Sequence, residues 1–138
     1  FTIALISGCT QSPNSPKVPF EDFELNCRLD SDEGRVINSE EEFNELLESK
    51  GSGGVWCKDY EFQKPDFTSK TLLGKFASGG CDVTFHRDVF VDHSNKKYIY
   101  RINVEQRGLC ESMAVSNNLI TVDKIPSDYT VEFQIEKE

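Results

Sequence analysis

The sequence predicts an α+β domain: a mainly antiparallel β-sheet of about seven strands with one packed helix, stapled by disulfides. Three observations predict it. Short runs of alternating apolar and polar residues, each bounded by turn formers, recur through the second half of the chain. A single stretch, Glu40 to about Ser49, has helical spacing of its apolar residues. Five cysteines are spread over 138 residues without a Cys-x-x-Cys pair, which leaves neither a zinc knuckle nor a thioredoxin-type redox motif.

The chain opens Phe1-Thr2-Ile3-Ala4-Leu5-Ile6-Ser7-Gly8-Cys9. An apolar run ending in small residues reads as the tail of a secretory signal, and it is too short to cross a bilayer. Ile6-Ser7-Gly8-Cys9 resembles the bacterial lipobox, an apolar residue and two small ones before an obligatory cysteine. By resemblance to bacterial lipoproteins, cleavage follows Gly8, leaving residues 1–8 as the signal remnant. The Cys9 sulfur then carries diacylglycerol, with a third, palmitate-type chain on the new amine in many Gram-negative species. Several acyl chains give stable membrane anchoring where one is marginal. The alternative is a buried strand with a structural cysteine. The expected location is therefore the bacterial cell envelope, lipid-anchored in the outer membrane and facing the periplasm or the cell surface.

Residues 9–19 form a lipidated tether, since Thr10 to Pro19 is polar and proline-spaced and cannot build a core. Residues 20–138 make one globular domain, long enough to bury a sizeable core. Lys and Arg number 15 against 24 Asp and Glu, a net charge of −9. That disfavours nucleic acid and anionic lipid headgroups as partners, because both need clustered cations. With Cys9 assigned to lipid, Cys27, Cys57, Cys81 and Cys110 remain, an even number that reads as two bridges with three connectivities open.

Phe23 to Leu29 alternates apolar and polar residues and predicts a first strand. Asp30-Ser31-Asp32-Glu33-Gly34 is a turn whose spacing does not match a calcium loop. Asn38-Ser39-Glu40-Glu41-Glu42 is a capping box that starts the helix, and Phe43, Leu46 and Leu47 give it one apolar stripe. Gly51 to Gly54 ends the helix in a loop, and Val55-Trp56-Cys57 returns to the core beside a Cys27–Cys57 bridge. Thr71 to Ala77 reads as a strand feeding a bend at Gly79-Gly80.

The most informative stretch follows, a hairpin folded about Asp92 to Lys97. With Asn95 and Lys96 at its centre, Val89 faces Ile102, Val91 faces Tyr100, and Cys81 faces Cys110. This register gathers Val83, Phe85, Val89 and Val91 with Tyr98, Tyr100, Ile102 and Val104 on one side, and a one-residue slip would bury the charged set instead. Arg87 is an exception on the apolar face, and Phe90 on the polar one. Opposed strand residues lie roughly 4.5 to 5.5 Å apart at Cα, within disulfide reach, so a Cys81–Cys110 bond is expected, worth about 3 to 4 kcal/mol by loop-closure entropy. The remaining pair is then Cys27–Cys57. Beyond Cys110, a short strand Met113 to Val115 should turn at Asn117-Asn118 and pair with Leu119 to Asp123. Tyr129, Val131, Phe133 and Ile135 mark a last strand with one buried face.

Asp66-Phe67-Thr68-Ser69-Lys70, Leu72-Leu73-Gly74, Ser78-Gly79-Gly80 before a strand, and Val122 to Pro126 before Val131-Glu132-Phe133 resemble the C-terminal domain of the PrcB-like proteins. These are accessory components of a bacterial surface protease complex. This chain has Cys81 where that family carries an aromatic residue. The resemblance implies a non-catalytic role beside a protein partner.

The residues themselves offer no catalytic pattern. His86 and His93 are the only histidines, and His86 points to the opposite face from Cys81 and Cys110. There is no Gly-x-Ser-x-Gly elbow and no His-Glu-x-x-His. The expected function is a membrane-anchored lipoprotein, without cofactor or metal, whose domain binds another envelope protein. The candidate binding loop is Ser78, Gly79 and Gly80, because glycine permits close backbone approach. A protease inhibitor acting through such a loop is the alternative, and a carboxylate-based enzyme a further one.

Overall fold

A computed structural model describes residues 15–25, 33–48, 64–80, 82–108 and 113–137. The elements in chain order are β1 (Glu21–Asp22), β2 (Arg35–Ile37), α1 (Glu40–Glu48), β3 (Lys70–Gly74), β4 (Ala77–Gly79), β5 (Thr84–Asp92), β6 (Lys97–Glu105), β7 (Ala114–Ser116), β8 (Ile120–Asp123) and β9 (Thr130–Lys137). Among the described residues nine strands thus stand where about seven were expected, because the Thr71 to Ala77 run splits between two sheets and Arg35–Ile37 forms a strand of its own.

Helix α1 forms for the reason its sequence states. The Glu42 amide donates to Ser39 Oγ at 3.1 Å, and the Glu42 carboxylate reaches back to the Asn38 amide at 3.0 Å, so the first turn closes on itself. Three acids in that turn suit the positive end of the helix dipole. Ser39→Ala is expected to destabilise the domain by about 1 kcal/mol in urea denaturation.

Three layers result. Phe43, Leu46 and Leu47 of α1 pack with Ile37, Leu72 and Leu119 against one face of a sheet ordered β1-β8-β3-β2. Its other face, through Leu73, Ile120 and Val122, packs on Val89, Tyr100, Ile102 and Val104 of a second sheet ordered β5-β6-β9. Adjacent Leu72 and Leu73 point to opposite layers because side chains alternate across a strand. Strands β4 and β7 form a separate pair. At the end of β8, Lys124 Nζ donates to the carbonyls of Asn38 and Phe67 at 2.6 and 2.7 Å, tying that strand to the start of the helix.

The β5–β6 hairpin is present with the expected apolar side inward, but its register differs. Val89 faces Tyr100 and Asp92 faces Lys97, a displacement of two residues from the expected pairing. The reason lies in the turn. Asp92 takes Ser94 Oγ at 2.7 Å, the Asn95 amide at 3.2 Å and Asn95 Nδ2 at 2.7 Å, which centres the loop one position earlier. A shift of two keeps every residue on its face, so the core is unchanged while the opposition of Cys81 and Cys110 loses the register that suggested it. All five cysteines lie outside the described residues, as do Trp56 and the 51–54 loop.

Other pairings also depart from expectation. Of the expected Phe23 to Leu29 strand, residues 26–29 lie outside the described residues; β1 is Glu21–Asp22, and Phe23 and Leu25 follow it to pack against the helix cluster. The Thr71 to Ala77 run divides into β3 and β4, which belong to different sheets. Strands β7 and β8 do not form a hairpin: β7 pairs with β4, while β8 inserts between β1 and β3. Strand β9 runs parallel to β6, since the Lys124–Tyr129 link carries the chain across from one sheet to the other. Its inner face is only half-buried, and Ile135 is exposed. Finally Lys17, in the tether, bridges to Phe90, with Val18 N donating to Val89 O at 2.8 Å and Val91 N to Pro16 O at 3.1 Å.

Candidate functional site

Arg87 is the only charged side chain that β5 and β6 send toward the core, and it organises the site. Its Nε donates to Asn118 Oδ1 at 2.8 Å, Nη1 to Asp22 Oδ1 at 2.8 Å, and Nη2 to Ser116 Oγ at 3.4 Å. A guanidinium lowered into an apolar layer must be paired, and the three acceptors come from β1, from the end of β7 and from the β7–β8 connection.

Asn118 joins these parts. It is 1% exposed and has φ of 48°, a left-handed conformation that asparagine adopts more readily than other residues with a side chain. Its amide donates to Ser116 Oγ at 3.0 Å and its Nδ2 to Lys75 O at 3.1 Å, while its carbonyl accepts the Tyr100 hydroxyl at 2.6 Å. Five segments therefore meet at one residue. Burial pushes the Tyr100 phenol well above its ordinary value near 10.

The sign of the Tyr100 effect is definite. In the unfolded chain the phenol ionises near pH 10, whereas in the fold it keeps its proton, so stability is retained below about pH 10 and falls as pH rises further. Tyr100→Phe should cost about 1 kcal/mol at neutral pH for the lost hydrogen bond. The deficit should shrink above about pH 10, as the parent loses stability that the phenylalanine variant keeps. A gap that stays constant to about pH 11 in urea titrations would show that the phenol is not held neutral by the fold.

Beside this network opens a cleft of about 320 Å³. Asp22, Arg87 and Asn118 form its polar wall, and Phe23, Leu25 and Val115 its apolar one. Six of its ten lining residues are polar or charged, so the cleft is a mixed surface that fits a protein contact better than the largely apolar cavity usual for a small molecule. Arg87 has three of its five N–H donors engaged by Asn118, Asp22 and Ser116, and of these partners Asp22 stands largely in solvent, with 62% of its side chain exposed. Val115, in the cleft lining, is 39% exposed, and Met113, two residues before it in the chain, is 65% exposed.

No family model, curated protein or solved structure matches this chain.

The sequence-predicted loop is placed differently from expectation. Ser78 and Gly79 lie inside β4, paired with Val115 and Ala114. Gly79 is buried, and a Cβ there would sit 2.5 Å from Val83 Cγ2 and 3.1 Å from Val104 Cγ1. This glycine thus serves packing of β4 over the core. Gly80 is half-buried and donates its amide to Gln106 Oε1 at 2.7 Å. His86 Nε2 stands 3.7 Å from Glu105 Oε1 on the outer face, and His93 Nδ1 shares a 2.7 Å hydrogen bond with the Tyr129 hydroxyl. Among the described residues, no three of His, Cys, Asp and Glu cluster as metal ligands. Sequence reasoning missed Arg87 and Asn118 as a site. The usable signal was Arg87 itself, the charge that broke the apolar face of the hairpin.

Proposed function

We propose that this chain is a bacterial envelope lipoprotein, anchored through Cys9, whose domain binds another envelope protein as an accessory or stabilising subunit and performs no chemistry of its own. The observation that carries the binding role is exposed Val115 in the lining of the Arg87 cleft, with exposed Met113 two residues before it in the chain, apolar area beside fixed polar groups. The Ile6 to Cys9 motif and the polar tether behind it support the anchor. The motifs shared with the PrcB-like domain support an accessory role.

The test has two arms. Cys9→Ala should move the protein from the membrane to the soluble fraction, and retention in the membrane would sink the anchor. A photo-crosslinker in place of Val115 should yield one discrete adduct in the intact envelope. An adduct pattern equal to that from a crosslinker at exposed Lys137 would remove the cleft from the interface.

A further inference from the structure

The contact of the tether with β5 carries an inference about how the domain stands on its membrane. Pro16, Lys17 and Val18 run antiparallel to β5, opposite Val91, Phe90 and Val89. Followed backward toward Cys9, the chain therefore leaves the sheet in the direction of Asp92 and the turn beyond it. Lys17 fixes this alignment further, with its ammonium 5.9 Å from the Phe90 ring centre and 3.4 Å from Asp88. The exit lies at the hairpin tip, where Lys96 pairs with Asp128 at 2.9 Å and His93 with Tyr129 at 2.7 Å.

The opposite end of the same strands carries Thr84 and Glu105. Beside it sit Gly79, packed on Val83 and Val104, and its partner Ala114 in β7. Val115, next to Ala114 in β7 and part of the cleft lining, therefore belongs to the far half of the described fold.

We propose that the hairpin tip, His93 to Lys97, with the Asp128-Tyr129 turn beside it, is the membrane-facing end of the domain, and that the β4–β7 end with the cleft rim is held outward. The proposal rests on the lipid anchor at Cys9. Length decides between this orientation and its reverse. Pro16 follows Cys9 by seven positions. Seven residues of chain span about 15 Å on average as a coil and about 25 Å when fully drawn out. With the tip down, the average span suffices. Bringing the Thr84 end to the bilayer would require the tether to run back along β5 for roughly 23 Å, close to its full extension. Entropy therefore favours the tip. Electrostatic attraction is not needed, and Lys17, Lys96 and Lys97 are each already paired with a carboxylate. The orientation suits the binding role, because a partner approaching from the envelope space meets the cleft rim and not the tip.

The experiment uses the full lipidated chain in nanodiscs containing a lipid with a paramagnetic headgroup, read by amide NMR. Ser94 to Lys97 should lose most of their signal, while Thr84, Glu105 and Ala114 keep theirs. Val18→Pro removes the amide that holds the tether to Val89 and should level this gradient without releasing the protein from the disc. Equal losses at the two ends of the parent, or larger losses at Thr84 and Glu105, would overturn the orientation while leaving the anchor intact. Failure of the parent to associate with nanodiscs at all would overturn the anchor, and the orientation with it.

Discussion

Asn118→Ala is expected to destabilise the fold by about 3 to 4 kcal/mol, the largest effect of any single polar substitution in the network. Three contributions add. The Arg87 Nε loses its buried acceptor, a charge-assisted hydrogen bond whose removal costs about 1.5 to 3 kcal/mol. Lys75 O loses the donor that holds the β3–β4 link, roughly another 1 kcal/mol. Alanine must also adopt φ of 48°, which costs about 1 kcal/mol. The contributions overlap, because the network can relax, and the sum is accordingly set at the lower end. Asn118→Gly separates them: it accepts the backbone conformation and should recover about 1 kcal/mol, leaving the side-chain loss. Urea denaturation of both variants, with Arg87→Met added to complete a double-mutant cycle, measures the coupling. Additive effects of Arg87→Met and Asn118→Ala would show that the two residues act independently. The same substitution should displace the cleft wall and so weaken the Val115 crosslink.

Gly79→Ala should cost about 2 to 3 kcal/mol, while Gly80→Ala is expected to be nearly silent in stability. The two positions look alike in sequence. At Gly79 a methyl group would meet Val83 at 2.5 Å and Val104 at 3.1 Å, so either β4 lifts off the core or both valines move. Overpacking of this kind typically costs 1 to 3 kcal/mol. At Gly80 the nearest atom is Gln106 Oε1 at 3.5 Å, ordinary contact distance. Thermal or urea unfolding of the pair checks this directly. The contrast also bears on function: Gly80→Ala tests the bend as a binding element without unfolding the domain, whereas a loss of partner adduct in Gly79→Ala would report the fold. Equal stability of the two variants would mean that β4 does not pack as closely on Val83 and Val104 as described.

Much of the local structure was legible because its causes are local. Ser39 and Glu42 specify the helix start within four residues, and Phe43, Leu46 and Leu47 specify its buried stripe, so the helix follows from spacing alone. The inward face of the hairpin was legible for the same reason, since alternation decides the face whatever the partner. Asn118 in a left-handed turn was legible from residue type, but its burial and four-way bonding were not.

What the sequence determined by itself, then, is which residues go inward, where the helix begins, and the Ile6 to Cys9 motif that motivates a lipid anchor. Strand partners and registers were decided only in three dimensions. A register shift of two residues leaves every apolar residue on its face, so hydrophobic pattern cannot detect it, and the Asp92 side chain made the choice through its own hydrogen bonds. Likewise β8 pairs with β3 and not with β7, and β9 runs parallel to β6, because filling two layers of core outweighs the small advantage of pairing with the nearest strand in sequence. The Arg87 site belongs to this second class. It exists because folding brings Asp22, Arg87 and Asn118, far apart along the chain, to one point where a single half-buried charge has to be satisfied.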